Sequence, residues 1–242
     1  MSLRPSSKGP SWNGRRRNQL VHRTGSIPHL AEIEIEERRL RRIGRNLDDS
    51  DLPREKTLAT LDRARLPAKI QKTLPTLCEG GFVERGANIL VFGLPGRGKT
   101  HLACAIGQEL VQRGHRVLFT PTYALVQRLL LAKRDLALER DLTRLDRYDV
   151  VILDDIGYVQ QSRDEMEMLF TFLSERYERR SVVITSNLVF KEWDRIFKDA
   201  MTTAAAIDRL IHHAVTLEMT GTSYRTKEAK RRTETTTTTH GE

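Results

Sequence analysis

Between residues 87 and 219, short apolar runs rich in Val, Ile and Leu alternate with longer segments whose apolar residues recur at helical spacing. Five of the runs read as strands: NILVF (88–92), RVLFT (116–120), VVILD (150–154), SVVIT (181–185) and AVTLEM (214–219). The segments between them, KTHLACAIGQELVQRG and DEMEMLFTFLSERYERR among them, carry the helical period. Strands that are apolar along nearly their whole length, joined by helical crossovers, predict a parallel sheet covered on both faces, and so an α/β fold. Upstream, AEIEIEERRLRRIGR (31–45) predicts a helix with its acids early and its arginines late, the order that suits the helix dipole. NLDDSDLPREKTLATLDRARLP reads as a linker with short helical turns, and AKIQKTLPTLCEGGFVERG as helix and turn leading into the first core strand. Residues 1–30 show neither period and are rich in Ser, Gly, Pro and Arg, which predicts a disordered basic arm. The predicted organisation is an arm at 1–30, a small helical extension at 31–86, an α/β core at 87–222 and a basic, threonine-rich tail at 223–242 that cannot build a core. There is no internal repeat.

Composition adds a bias toward anionic partners. Of 242 residues, 41 are Lys or Arg and 32 Asp or Glu, a net charge of +9, which favours nucleic acid or an acidic surface. No apolar run approaches the ~18 residues of a membrane span, and the basic N-terminus lacks the apolar stretch of a secretory signal. A cytoplasmic protein without a membrane partner is expected. The two cysteines, Cys78 and Cys104, have no metal-ligand spacing, and Cys104 reads as a small buried residue on a helix.

The chemistry concentrates in VFGLPGRGKTHLACAIG. GLPGRGKT fits the phosphate-binding pattern G-x-x-x-x-G-K-[ST] at Gly93, Gly98, Lys99 and Thr100, and it follows a strand and opens a helix, the context the pattern requires. Glycines let successive backbone N–H groups turn toward phosphate oxygens, and the following helix points its positive end at the same anion. Lys99 is placed to reach the β- and γ-phosphates and Thr100 to ligate Mg²⁺; Gly96 adds backbone freedom and Pro95 stiffens the approach. The predicted nucleotide contacts are Gly93, Pro95, Gly96, Arg97, Gly98, Lys99, Thr100 and His101, with ATP and Mg²⁺ as the cofactors.

The remaining candidates lie at strand and helix ends. Asp154 closes VVILD and is expected at the carboxyl edge of the sheet, beside the glycine turn, as the acid that organises Mg²⁺. Asp155 is read as the general base that polarises the attacking water, with a helix N-cap as the competing reading. Asn187, after SVVITS, either places its amide near the γ-phosphate and the water or is a plain turn residue. Arg209, in AAAIDRLIHHA, is either a surface arginine or a finger that reaches the γ-phosphate of a neighbouring subunit. His212 and His213 follow on the same predicted helix. Adjacent helical side chains diverge, so the two histidines are expected to be poor joint metal ligands.

Taken together, GLPGRGKTHLACAIG, VVILDDIGYV, LSERYERRSVVITSN, KEWDRIFKD, AIDRLIHHA and GTSYRTKEAKRR resemble the IstB/DnaC group of AAA+ ATPases, and within it the IstB-like helpers of insertion-sequence transposition. The resemblance runs from about residue 61 to 232. It implies an AAA+ P-loop core with a five-stranded parallel sheet in the order 5-1-4-3-2. It also implies that Asn187 is the first sensor, that Arg209 acts in trans, and that Arg225 lies near nucleotide or a subunit boundary. It further implies an ATPase that assembles as a ring or filament on duplex DNA and assists the transposase of the same insertion element. Two features depart from the family pattern: residues 1–30 lack its usual helical opening, and Asp155 stands where many AAA+ proteins carry Glu.

A DnaC-like loader of the replicative helicase is the main alternative, although the basic regions show no aromatic stacking platform for single strands. A small-molecule P-loop kinase and a non-catalytic nucleotide-dependent scaffold are the others. The basic runs that would meet DNA are the arginines of 38–45, the triplet at 15–17 and KEAKRR at 227–232, each of which could equally be a solvated face or tail.

Overall fold

A strand buried on both faces has no solvent side, and the interior strand β1 (Asn88–Phe92) is buried at every residue. The computed structural model describes residues 26–158, 162–188, 192–193 and 200–220. The other strands are β2 (Val117–Pro121), β3 (Val150–Asp154), β4 (Ser181–Ser186) and β5 (Ala214–Glu218). All pairings are parallel, in the order β2-β3-β4-β1-β5, which is the expected order read from its other edge. The strand bounds agree with the sequence expectation to within one residue.

The helices are α1 (Ser26–Asp48), α2 (Ala68–Glu79), α3 (Gly81–Glu84), α4 (Lys99–Gln112), α5 (Thr122–Arg134), α6 (Leu138–Leu145), α7 (Arg163–Arg176) and α8 (Ala200–Ile211). Alternation along β1 divides the core between the two sheet faces. Ile89 and Val91 pack with Leu102, Ile106 and Leu110 of α4 and with Ile70 and Leu74 of α2. Leu90 and Phe92 pack on the opposite side with Leu125 and Leu129 of α5 and Met168 and Phe172 of α7. Each fully buried Leu or Ile contributes on the order of 1.5–3 kcal/mol. Helix α7 begins at a capping box, in which Ser162 Oγ accepts from Glu165 N at 3.3 Å and Glu165 Oε2 accepts from Ser162 N at 2.9 Å.

The chain divides into two units, Met1–Arg41 and Arg42–Glu242. In the first, the described part of α1 is solvated: Ile33, Ile35 and Leu40 are exposed, and Arg38, Arg39 and Arg41 pair with Glu34, Glu36 and Glu37 along the helix. In the second, the last turns of α1 bury Ile43, and the stretch from Asp49 to Pro67 crosses to α2 with a single 3₁₀ turn at Arg63–Arg65. Among the described residues no helix is long and apolar enough to cross a membrane.

Candidate nucleotide-binding site

The sheet topology places the site. β4 lies between β1 and β3, with Phe92 opposite Ser186 and Leu153 opposite Ile184. The loop after β1, the acids after β3 and the polar end of β4 therefore emerge side by side at the carboxyl edge, where open α/β sheets bind ligands.

Within the loop, Gly93 is required by close approach. A Cβ there would stand 2.7 Å from the carbonyl oxygen of Met219, whose own N–H donates to Phe92 O at 2.7 Å. Gly98 caps α4 in a left-handed conformation, φ +86°, which only glycine adopts without strain. Lys99 is buried, and its Nζ donates to Leu94 O at 3.3 Å, so the ammonium lies across the loop it belongs to. Arg97 Nη1 donates to Met219 O at 3.4 Å.

The two acids are held by hydroxyls. Asp154 Oδ1 accepts from Thr100 Oγ1 at 2.8 Å and from Thr185 Oγ1 at 2.7 Å. Thr185 also accepts from the backbone N–H of Asp155 at 2.9 Å. Asp155 itself has φ +60°, a sharp reversal for a non-glycine residue that turns its side chain away from the line of Asp154. It initiates only the short 3₁₀ turn Ile156–Tyr158.

Beside these groups lies a cavity of about 500 Å³, a size ordinary for a small-ligand site. Its walls include Pro95 to His101 of the loop, Asp155, Thr185 and Asn187, and, from the linker, Lys56, Thr60 and Asp62. His101 explains the linker's presence. Its Nε2 lies 3.1 Å from both Thr60 Oγ1 and Thr57 O, so the first turn of α4 is tethered to the segment before the core. The donor set at Thr100 and Asp154, one hydroxyl and one carboxylate, is the hard-oxygen chemistry that Mg²⁺ requires.

Arg209 lies in the last turn of α8, and its guanidinium sits over the Phe170 ring, 4.8 Å from the centroid. It does not line the cavity of its own chain. Arg225, KEAKRR and the triplet at 15–17 fall outside the described residues. The sequence reading passed over Thr185, Thr60, Lys56 and Asp62. Only Thr185 carried a local signal, as the polar residue that interrupts a buried strand just before Ser186 and Asn187.

The family model for IstB-like ATP binding proteins matches residues 15–232. Over 201 residues the chain is 47% identical to an insertion-sequence ATP-binding protein of Sinorhizobium fredii, covering 83% of this chain and 67% of that protein. It is 43% identical over 185 residues to the ATP-binding protein of insertion sequence IS21 from Pseudomonas aeruginosa, covering 76% and 70%. Among solved structures, DnaI superposes with a TM-score of 0.58 at 23% identity over 71% of this chain and 96% of that one. DnaA bound to AMPPCP and single-stranded DNA gives 0.60 at 17% identity over 72% and 52%. Identities this low speak for the fold alone.

Proposed function

This chain belongs to the IstB-like ATP-binding protein family and is a P-loop ATPase of AAA+ fold, and from that premise we propose that it uses ATP to assemble on duplex DNA and to assist the transposase of its insertion element. The observation that carries the reading is the convergence of residues 95–100 of the loop, Asp155 and Asn187 on one cavity, with Asp154 joined to two of its lining residues, Thr100 at 2.8 Å and Thr185 at 2.7 Å. The names of the relatives in Sinorhizobium fredii, Pseudomonas aeruginosa and Geobacillus stearothermophilus, each an insertion-sequence ATP-binding protein, support the transposition context.

In this reading the amides of residues 96–99 and the positive end of α4 hold the phosphate chain, and Lys99 swings from Leu94 O to the terminal phosphates. Thr100 and Asp154 hold Mg²⁺, which when bound neutralises charge on the phosphate oxygens. Asp155 accepts hydrogen bonds from the attacking water, and the Asn187 amide fixes the water's position. Arg209 reaches the site of an adjacent subunit, so turnover depends on assembly. That assignment is supported by its place outside its own cavity. Arg225 would meet nucleotide or the same boundary.

The alternative of a helicase loader is supported by fold likeness alone, at 21% identity to the DnaC helicase loader, against 47% to an insertion-sequence protein. The test is ATP turnover with and without duplex DNA, paired with capture of purified transposase or replicative helicase. The reading expects duplex to stimulate turnover, Asp155→Asn to abolish it while ATP still binds, and the transposase to be captured. Capture of the helicase alone, or turnover indifferent to duplex, would contradict it.

A further inference from the structure

The end of the sheet opposite the nucleotide cavity holds a second cluster of chemistry-bearing side chains. α8 stops at Ile211, so His212 and His213 do not diverge as adjacent helical residues would; they lie in the turn that leads into β5. Their ring centroids are 4.2 Å apart. Glu178 faces both from the turn between α7 and β4: its Oε1 is 3.6 Å from His212 Nδ1 and 3.9 Å from His213 Nε2. One ligand atom from each of the three residues lies within 4.8 Å of the others, and all three side chains are about half exposed.

We propose that Glu178, His212 and His213 form a binding site for a divalent transition-metal ion of the Zn²⁺ class. Two imidazole nitrogens and one carboxylate oxygen suit Zn²⁺ and its neighbours, whereas Mg²⁺ and Ca²⁺ require oxygen sets. At Zn–ligand distances of about 2.0–2.1 Å, tetrahedral ligand atoms stand roughly 3.4 Å apart, so the observed separations need only a small inward turn of the side chains. Three protein ligands leave a fourth position for water or for a group from another molecule.

The scaffold beneath the cluster is fixed. Glu178 adopts φ +56°, a conformation strained for a non-glycine residue that persists where neighbouring structure imposes it. Arg176, two residues earlier and buried, donates to the carbonyls of Leu145, Tyr148, Asp149 and Ser181. Asn88 joins the two ligand-bearing turns: its Nδ2 donates to Leu210 O at 3.2 Å and its Oδ1 accepts from Val182 N at 2.9 Å. Its backbone N–H donates to His213 O at 3.1 Å. The Tyr177 hydroxyl lies 3.3 Å from His212 Nδ1, and an ion that takes this nitrogen as its ligand displaces that contact. An ion bound here clamps the α7–β4 turn to the α8–β5 turn and braces the helix that carries Arg209.

The test is Zn²⁺ titration of the full chain, stripped of metals and held in excess Mg²⁺, by calorimetry and by thermal melting, with Glu178→Gln and His213→Gln alongside. One saturable site per chain is expected, with a rise in melting temperature on Zn²⁺ addition. Each substitution should weaken affinity by at least about tenfold and remove the rise, since loss of a ligand costs more than loss of a supporting group. Both variants change exposed side chains, and metal-free melting temperatures equal to the wild type will show that they fold. Crystals soaked in Zn²⁺ should give an anomalous peak between the three residues. Absence of saturable binding, wild-type affinity in both variants, or a peak elsewhere would overturn the assignment.

Discussion

Thr185 is fully buried, and its one hydroxyl touches both acids at the end of β3, donating to Asp154 and accepting from the backbone of Asp155. Valine has the same shape without those bonds. Thr185→Val is therefore expected to lower kcat by about tenfold or more, the usual scale for a group that orients a ligand-bearing residue. ATP affinity should stay close to the wild type, and Thr185→Ser should restore the rate. Stopped or coupled ATPase kinetics with separate nucleotide titrations check this, and an unchanged kcat in the valine variant would remove the positioning role. The cysteines give a second residue-scale expectation. Burial pushes the Cys78 thiol up to about 11 and Cys104 to about 12. At pH 8 both stay protonated and shielded, so a thiol reagent should label neither until the chain is unfolded. The sign of the pH effect follows: above 9.0, where an unfolded thiol loses its proton and the native one keeps it, these two groups make the native state progressively less stable.

At the scale of elements, α7 is anchored at its end by one side chain. The Arg176 guanidinium reaches four backbone carbonyls in the α6–β3 connection and at the start of β4. Arg176→Met keeps the stem and leaves those acceptors without their charged donor, so denaturant unfolding should show a loss of about 3 kcal/mol or more. A loss below about 1 kcal/mol would mean that water replaces the guanidinium. The elements themselves were largely legible. VVILD and SVVIT are too apolar and too short for anything but buried strands, and GLPGRGKT between a strand and a helix has one common use. The register was not, because Thr185 meets Asp154 only once β4 is known to lie between β1 and β3. The contact of His101 with Thr57 and Thr60 joins residues more than forty apart and leaves no local trace. The histidine pair was placed on the helix for a local reason: the helical pattern runs on to His213, but the helix ends two residues earlier, and the two rings lie 4.2 Å apart.

For the whole molecule, charge and assembly set the expectations. The net charge of +9 supports phosphate contacts, but part of it is already engaged. Along α1, Arg38, Arg39 and Arg41 are paired with glutamates of the same helix, in exposed pairs that contribute little and that phosphates can replace. Duplex affinity measured by anisotropy should fall by roughly 10³-fold or more between about 50 and 200 mM salt if six or more phosphates are neutralised. A flat response would exclude a phosphate-dominated interface. Assembly is tested by mixing. Arg209→Ala and Asp155→Asn should each be inactive alone, yet recover DNA-stimulated turnover together, because a subunit with intact Asp155 then meets a neighbour with intact Arg209. Everything rests on a nucleotide gripped between the Gly93–Thr100 loop and Asp154, and the most direct measurement is a crystal structure with Mg²⁺ and a non-hydrolysable ATP analogue. The account predicts the phosphates against the amides of residues 96–99, with the metal on Thr100 and Asp154. Well-ordered analogue bound elsewhere, with Thr100 and Asp154 still joined to each other and free of metal, would contradict it.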